Sequence, residues 1–257
     1  MVVADLHVHT TNSDGALTLE TLPAAADRAG VEVVAVTDHD RLHPDIEGAV
    51  VEVGGVTVVH GIELRVDAGD QRLDLLGYGL ERTDELTALT DRLQRDRIQR
   101  ARRIVDAVEA ETGAELSVTF EPGVGRPHIA RAIDESDAPY DYREAFGELI
   151  GDDGPCFVSR DIPDFEDGRA VLAEACAVVG LAHPFRYGDP DAALERARTL
   201  DAVEIPYPYE HEVDRGPARR VAEEHDLLVT GGSDAHEEEL GLAGLDSGAY
   251  RRFEAAL

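Results

Sequence analysis

Ala4-Asp5-Leu6-His7-Val8-His9 is the stretch whose reading decides the fold. The run 2–8 is short, apolar and rich in Val, which predicts a buried strand. Side chains alternate across a strand, so His7 and His9 point the same way at its end. Two imidazoles on one face are a ready-made bidentate site for a borderline divalent metal. Working outward, similar short runs recur at 32–37, 56–62, 72–77, 177–182, 202–205 and 227–230. Helical patterns lie between them at 18–29, closed by Gly30, and at 191–199 and 213–224. Alternation of strand and helix predicts a parallel sheet, and about seven such strands predict an α/β fold closed into a β/α barrel.

The middle of the chain breaks this rhythm. Residues 84–111 form one long charged helical pattern, followed by a strand candidate at 115–120 and helical pieces around 127–133 and 142–149. The stretch 151–168 is rich in Asp, Gly and Pro and reads as loop. The expected organisation is a barrel from 1–80 and 166–257, with 81–165 inserted as a mainly helical cap.

His and Asp residues gather at the C-terminal ends of the strand candidates, the edge where parallel α/β folds build their sites. After His7 and His9 comes Asp14, in the loop Thr11-Asn12-Ser13-Asp14-Gly15. Thr37-Asp38-His39-Asp40 ends the second strand and Gly61-Ile62-Glu63-Leu64 the third. Beyond the insertion lie Ala182-His183-Pro184-Phe185-Arg186 and Gly232-Ser233-Asp234-Ala235-His236. A single strand-end His is more often a packed core residue than a ligand. Recurrence at five strand ends makes a metal site the better reading, and imidazoles with carboxylates are the donors that Zn, Mn and Fe share.

The ordered set His-x-His, Thr-Asp-His-Asp, Gly-Ile-Glu, Ala-His-Pro and Ser-Asp-Ala-His resembles the PHP superfamily, named for polymerase and histidinol phosphatase domains. The resemblance covers 2–77 and about 170–240. It implies a distorted seven-stranded β/α barrel holding two or three divalent metal ions. By that resemblance His7, His9, Glu63 and Asp234 bind one ion, and Glu63 bridges to a second, held also by His183. Asp14, His39 and His236 hold a third. Asp234, His236 and Glu63 are then the residues expected to carry catalysis. One position departs from the pattern: in Arg72-Leu73-Asp74-Leu75-Leu76-Gly77, Asp74 stands where the family carries a His. Asp is an oxygen donor, so it enters the expected ligand set as a harder ligand.

The insertion, Arg126-Pro127-His128 and His183-Pro184-Phe185-Arg186-Tyr187 resemble the branch of nucleotide phosphoesterases that contains 3′,5′-nucleotide bisphosphatases and RNA 5′-end-trimming exonucleases. That implies Arg126, His128 and Arg186 facing substrate phosphates, and a nucleotide or an RNA or DNA 5′ end as substrate. The chemistry of the residues agrees, because a phosphate approaching an acidic protein needs local Arg, which grips it bidentately. Metal-activated water is the expected nucleophile; the sequence has no nucleophile elbow and no P-loop. Two other readings stand beside this one: a small-metabolite phosphatase of the histidinol phosphate kind, and a non-catalytic metal-binding accessory domain.

Composition narrows the setting. The 257 residues carry 54 acidic against 24 basic residues, a formal charge of −30, and every basic residue apart from His is Arg. Such a surface disfavours broad nucleic-acid or anionic-membrane binding. It suits a high-salt cytoplasm, where the Debye length falls to ~3 Å near 1 M and self-repulsion is screened. Cys156 and Cys176 make no metal-binding spacing and no disulfide framework. The N-terminus lacks a signal-like apolar run, so a cytoplasmic protein is expected, with no membrane and no obligate protein partner.

Lesser residues carry plainer expectations. Asp5 and Asp38 either orient imidazoles or cap structure. His60 faces away from Glu63 and reads as packing or surface. His43, His211 and His225 read as solvated; the Arg-rich run through Arg92, Arg95, Arg97, Arg100, Arg102 and Arg103 reads as a solvated helix paired with nearby Asp, with a rim that steers phosphorylated substrate as the alternative. Glu204 and Tyr207 end a strand and are candidates to line the pocket.

Overall fold

A computed structural model describes residues 1–257. The chain divides into two compact units, Met1–Thr90 with Ile162–Leu257, and Asp91–Asp161. The first unit opens with β1 (Ala4–Val8), α1 (Leu22–Ala29), β2 (Val33–Val36), β3 (Val50–Val53), β4 (Val56–Asp67) and β5 (Arg72–Tyr78). Helix α2 (Asp84–Thr112) leads into the second unit, which adds α3 (Arg126–Asp134) and the short α4 (Tyr142–Glu144), continued by a π-helical stretch over Ala145–Ile150. The first unit resumes with α5 (Phe165–Ala175), β6 (Val178–Leu181), α6 (Pro190–Ala197), β7 (Ala202–Glu204), α7 (Gly216–His225), β8 (Leu228–Thr230) and α8 (Ser247–Glu254). No helix is long and apolar enough to cross a membrane.

The strands follow the order β1-β2-β4-β5-β6-β7-β8, with β3 added beside β4. The seven-strand path curls back on itself. Past β8, Leu6 N–H donates to Gly231 O at 3.0 Å, His9 N–H to Ala235 O at 3.0 Å and Ala235 N–H to His7 O at 3.2 Å. This brings the segment carrying Asp234 against the strand carrying His7 and His9. Gly232 permits the approach, since a Cβ there would stand 2.3 Å from the His7 nitrogen.

The sheet is mixed, where strand-helix alternation predicts a parallel one. Strand β5 runs antiparallel to both β4 and β6, while the remaining neighbours along the path are parallel. The cause is the turn Asp67-Ala68-Gly69-Asp70. Gly69 takes φ 89°, and Ala68 N–H donates to Gln71 O at 2.9 Å, so β4 and β5 form a hairpin. Strand β4 therefore runs on to Asp67, and Glu63 lies within it rather than at its end. A second hairpin joins β3 to β4 through Gly54 and Gly55, at φ 57° and 88°; left-handed backbone of this kind suits Gly at both positions.

Strands β1, β2 and β6 are buried at every position, as expected where helices cover one face and barrel packing the other. One apolar cluster joins Val8, Val34, Val36 and Val58 to Leu22 and Ala26 of α1. A second joins Leu6, Ala35, Leu76 and Tyr78 to Phe253 of α8. The second unit has its own core, in which Ile104 and Val108 of α2 meet Ile129 and Ile133 of α3. Residues 115–120 carry no strand there. Arg97 and Arg100 are buried within this unit rather than solvated, and Arg100 Nε donates to Val158 O at 2.6 Å. His211 and His225 are exposed, but His43 is buried and accepts from Asp45 N–H through Nδ1 at 3.2 Å.

Candidate metal centre

In the first unit the structure assembles three groups of metal-ligand type: His9, Asp14, His39 and His236; His7, His9, Glu63 and Asp234; and Glu63, Asp74 and His183. In each group the donor atoms lie within 4.8 Å of one another. His9 and Glu63 each belong to two groups, so the three form one connected cluster. The rings crowd together, with centroids 4.3 Å apart for His9 and His236, 4.4 Å for His9 and His39, and 5.2 Å for His7 and His9. His7 Nε2 faces Glu63 and Asp234 carboxylate oxygens at 3.4 Å each. His9 Nε2 lies 3.0 Å from Asp234 Oδ1, and His183 Nε2 3.0 Å from Glu63 Oε1.

Two observations show that this donor set fits divalent ions. First, His7 Nε2 and Asp14 Oδ1 are buried polar atoms without a hydrogen-bond partner, an arrangement costly in a core and natural in a ligand. Second, backbone strain collects here. Of the four non-glycine residues at positive φ, His183 (27°), Asp234 (50°) and Asp40 (50°) belong to the segments of the site.

The charges follow from the crowding. Burial opposes ionisation of Asp14, but the imidazoles of His39, His236 and His9 outweigh it and hold the carboxyl below its usual range. Glu63 and Asp234 are likewise buried and likewise held down, Glu63 by His39 and His7 and Asp234 by His7 and His9. Burial also disfavours protonation of His7, yet Glu204, Asp234 and Glu63 raise its pKa well above the ordinary value. His9 is pushed down by burial, His39 and His236. All three buried carboxylates are thus charged at neutral pH and held for cations.

Supporting residues fix these ligands. Glu204, at the end of β7, places its carboxylate 3.2 and 3.3 Å from His7 Nδ1 and accepts from His183 N–H at 2.8 Å. An acceptor at Nδ1 leaves the Nε2 lone pair for a metal. Asp5 accepts from Ser233 N–H at 2.8 Å and Ser233 Oγ at 2.6 Å, steadying the loop that bears Asp234. Asp38 accepts from Thr10 N–H at 2.8 Å, Thr10 Oγ1 at 2.7 Å, Asn12 Nδ2 at 3.1 Å and Ser13 Oγ at 2.7 Å. The loop carrying Asp14 is wound around that one carboxylate. His60 is buried on the far strand face, as alternation predicts.

Of the three residues expected at substrate phosphates, Arg186 lies in the first unit beside the cluster. Its Nη1 donates to Asp234 Oδ2 at 2.9 Å and to Tyr207 Oη at 3.0 Å. Tyr207 Oη also donates to Asp234 Oδ2 at 2.8 Å. Arg126 and His128 belong to the second unit, at the start of α3. There Arg126 Nη1 meets Asp152 Oδ1 at 2.6 Å, and His128 Nδ1 accepts from Gly125 N–H at 3.2 Å. Burial, then the neighbouring Arg126, Arg160 and Arg97, lower the pKa of Arg100 to about 9, the mark of a crowded guanidinium cluster. Arg65 carries no motif that marks it in the sequence. It grips Asp74 with both ends of its fork, Nε to Oδ1 at 2.7 Å and Nη2 to Oδ2 at 2.5 Å.

A curled β/α barrel with an imidazole–carboxylate cluster at its strand ends defines a metal-dependent hydrolase of the PHP kind. The chain belongs to the PHP family: the PHP domain model matches residues 5–151, and a PHP-associated model matches 214–243. The chain is 29% identical over 251 residues to the 3′,5′-nucleoside bisphosphate phosphatase of Chromobacterium violaceum, covering 92% of this chain and 88% of that protein. It is 31% identical over 252 residues to the phosphoribosyl 1,2-cyclic phosphate 1,2-diphosphodiesterase of Eggerthella lenta, covering 91% and 94%. It is 27% identical over 253 residues to the 5′-3′ exoribonuclease Rnm of Escherichia coli, covering 92% and 86%. A solved amidohydrolase from Chromobacterium violaceum, with sulfate bound, superposes with a TM-score of 0.79 at 25% identity, over 99% of this chain and 96% of that one. A structure from Bifidobacterium adolescentis, 23% identical, shares the fold with a TM-score of 0.80 over 98% and 96%. The chain is accordingly a metal-dependent phosphoester hydrolase.

Proposed function

We propose that this enzyme hydrolyses a phosphate ester of a nucleotide, with a nucleoside 3′,5′-bisphosphate as first choice of substrate and a nucleic-acid 5′ end as second. The observation that carries the reading is the position of Arg186. One guanidinium nitrogen contacts the outer oxygen of Asp234 while that carboxylate's other oxygen faces His7 and His9. Half-exposed at 54%, Arg186 can turn to a phosphate at the metal cluster. Relatives named for nucleoside bisphosphate and RNA substrates support the same choice.

The ligands would be His7, His9, Asp14, His39, Glu63, His183, Asp234 and His236, taking two or three divalent ions of Mn, Fe or Zn. Once bound, the ions supply Lewis acidity that makes hydroxide available at neutral pH and offset charge on the phosphoryl oxygens. The chain's own groups do the rest. Glu204 holds His7 in one tautomer. Asp38 and Asp5 hold the two ligand loops. Arg186 and Tyr207 present donors to the oxygens of the second phosphate, the one that stays on the nucleotide. Asp234, His236 and Glu63 are the residues on which turnover depends most. The charge of −30 and the lack of Lys support a working environment of high salt in the cytoplasm, where the acidic surface stays hydrated.

A substrate panel tests this reading. Adenosine 3′,5′-bisphosphate should outrank a 5′-phosphorylated oligoribonucleotide, a ribose 1,2-cyclic phosphate and histidinol phosphate in kcat/KM. Preference for the cyclic or the non-nucleotide ester would overturn the choice of substrate and leave the hydrolase class standing.

A further inference from the structure

The third ligand group differs from the other two in carrying its own cation. Arg65 and Asp74 stand directly opposite each other across the β4–β5 hairpin. Both nitrogens of the Arg65 fork meet both oxygens of Asp74, which is only 1% exposed. The pair is anchored from both strands. Arg65 N–H donates to Asp40 Oδ1 at 2.9 Å, and Asp74 N–H donates to Tyr187 Oη at 2.8 Å.

Comparison with Asp234 shows what this does to the donor set. Asp234 meets Arg186 through Oδ2 alone, and its Oδ1 stays turned to His7 and His9. Asp74 has no such spare oxygen. Its Oδ2, the atom nearest His183 Nε2 at 3.9 Å, is the one held by Arg65 Nη2. With Asp74 engaged, the third group is left with His183 and with Glu63, which already belongs to the group of His7, His9 and Asp234. Two protein donors, one of them shared, fall short of the three or more that hold a catalytic divalent ion.

We propose that the Arg65 guanidinium is the resident cation of the Glu63–Asp74–His183 group, and that this enzyme therefore works with two divalent ions. The proposal rests on the metallohydrolase reading above. Formal charge agrees with it. Asp14, Glu63, Glu204 and Asp234, the carboxylates facing the imidazoles of His7, His9, His39 and His236, carry four negative charges and balance two divalent cations. Asp74 is balanced by Arg65, and Arg186 remains for substrate. The position that departs from the family's His is thus the one that Arg65 faces across the hairpin.

The test is metal content per chain, by titration of the metal-free enzyme with Mn²⁺ at molar KCl and mass-spectrometric counting of bound ions. Wild type should saturate at two ions, and Asp74→Asn should leave that count at two. Arg65→Met, which frees Asp74, should raise it to three. Should that variant fail to fold, Arg65→Met with Asp74→His replaces the pair by an imidazole and should also reach three. Three ions in wild type, falling to two in Asp74→Asn, would make Asp74 a ligand and overturn the proposal while leaving the metallohydrolase intact. A count of two in every folded variant lacking Arg65 would equally refute Arg65 as the excluding group. A wild-type chain that takes up no Mn²⁺ and releases no phosphate would sink the parent reading and the proposal with it.

Discussion

Replacing Glu204 with Gln should weaken metal binding far more than folding. The carboxylate serves two donors, His7 Nδ1–H at 3.2 and 3.3 Å and His183 N–H at 2.8 Å. Gln keeps the shape but offers one acceptor oxygen, so its amide NH₂ must face one of those donors. If His183 keeps the oxygen, His7 loses its reason to carry the proton on Nδ1, and the tautomer that leaves Nε2 for the metal is no longer enforced. The lost negative charge also removes the strongest of the attractions that raise the His7 pKa. Loss of a carboxylate behind a metal-bound imidazole typically costs 10–100-fold in metal affinity, about 1.4–2.7 kcal/mol. Competition against a chelator of known affinity reads this directly, with the melting temperature of the metal-free protein as control. We expect a Kd for Mn²⁺ raised ten- to a hundredfold, with much of the turnover restored at saturating metal. An unchanged Kd in a folded variant would refute the assignment of His7 as a ligand oriented by Glu204.

Arg186→Ala should lower kcat/KM by roughly 10–100-fold, the worth of one charge-assisted hydrogen bond, and more on a bisphosphate than on a monophosphate; an equal loss on both would deny its placement at the second phosphate. Asp38→Ala strands the donors of Thr10, Asn12 and Ser13 and should destabilise the fold by about 3 kcal/mol in urea denaturation; a loss below measurement would show the loop does not depend on that carboxylate. His60 tests pH dependence: burial, then Arg82 and His43, lower its pKa from 6.5 to about 4. Between those values the unfolded chain takes up a proton that the folded one refuses, so stability falls as pH drops below 6.5. His60→Leu should remove this share, about 2 kcal/mol of the wild-type loss between pH 7 and pH 5. Identical pH profiles for the two proteins would contradict it.

The ligand cluster was legible because its signal is local and repeated. Each of His7, His39, His183 and Asp234 closes or follows a short apolar strand, and strand alternation places His7 beside His9 without knowledge of the fold. Strand direction was less legible. Periodicity marks a strand but not its sense, and the sense of β5 depends on the turn at Asp67–Asp70, whose single Gly is a weak signal beside the two long apolar runs. The same gap hid Arg65. Once the hairpin register is fixed, Arg65 faces Asp74, but read as members of separate parallel strands the two residues have no relation. Glu204 was visible as a strand-end carboxylate, yet its partner His7 lies far away in sequence and is brought to it only by barrel closure. His43, Arg97 and Arg100 misled by type: polar residues in helix or loop are usually solvated, and tertiary packing overrode that rule.

The most direct test of the central claim is phosphate release from adenosine 3′,5′-bisphosphate in molar KCl with Mn²⁺, run beside a chelator-treated sample and Asp234→Ala. The account predicts release that the chelator abolishes, that added Mn²⁺ restores, and that the folded Asp234→Ala variant lacks. Release that survives both the chelator and the loss of Asp234 would contradict a metal-dependent mechanism at this cluster.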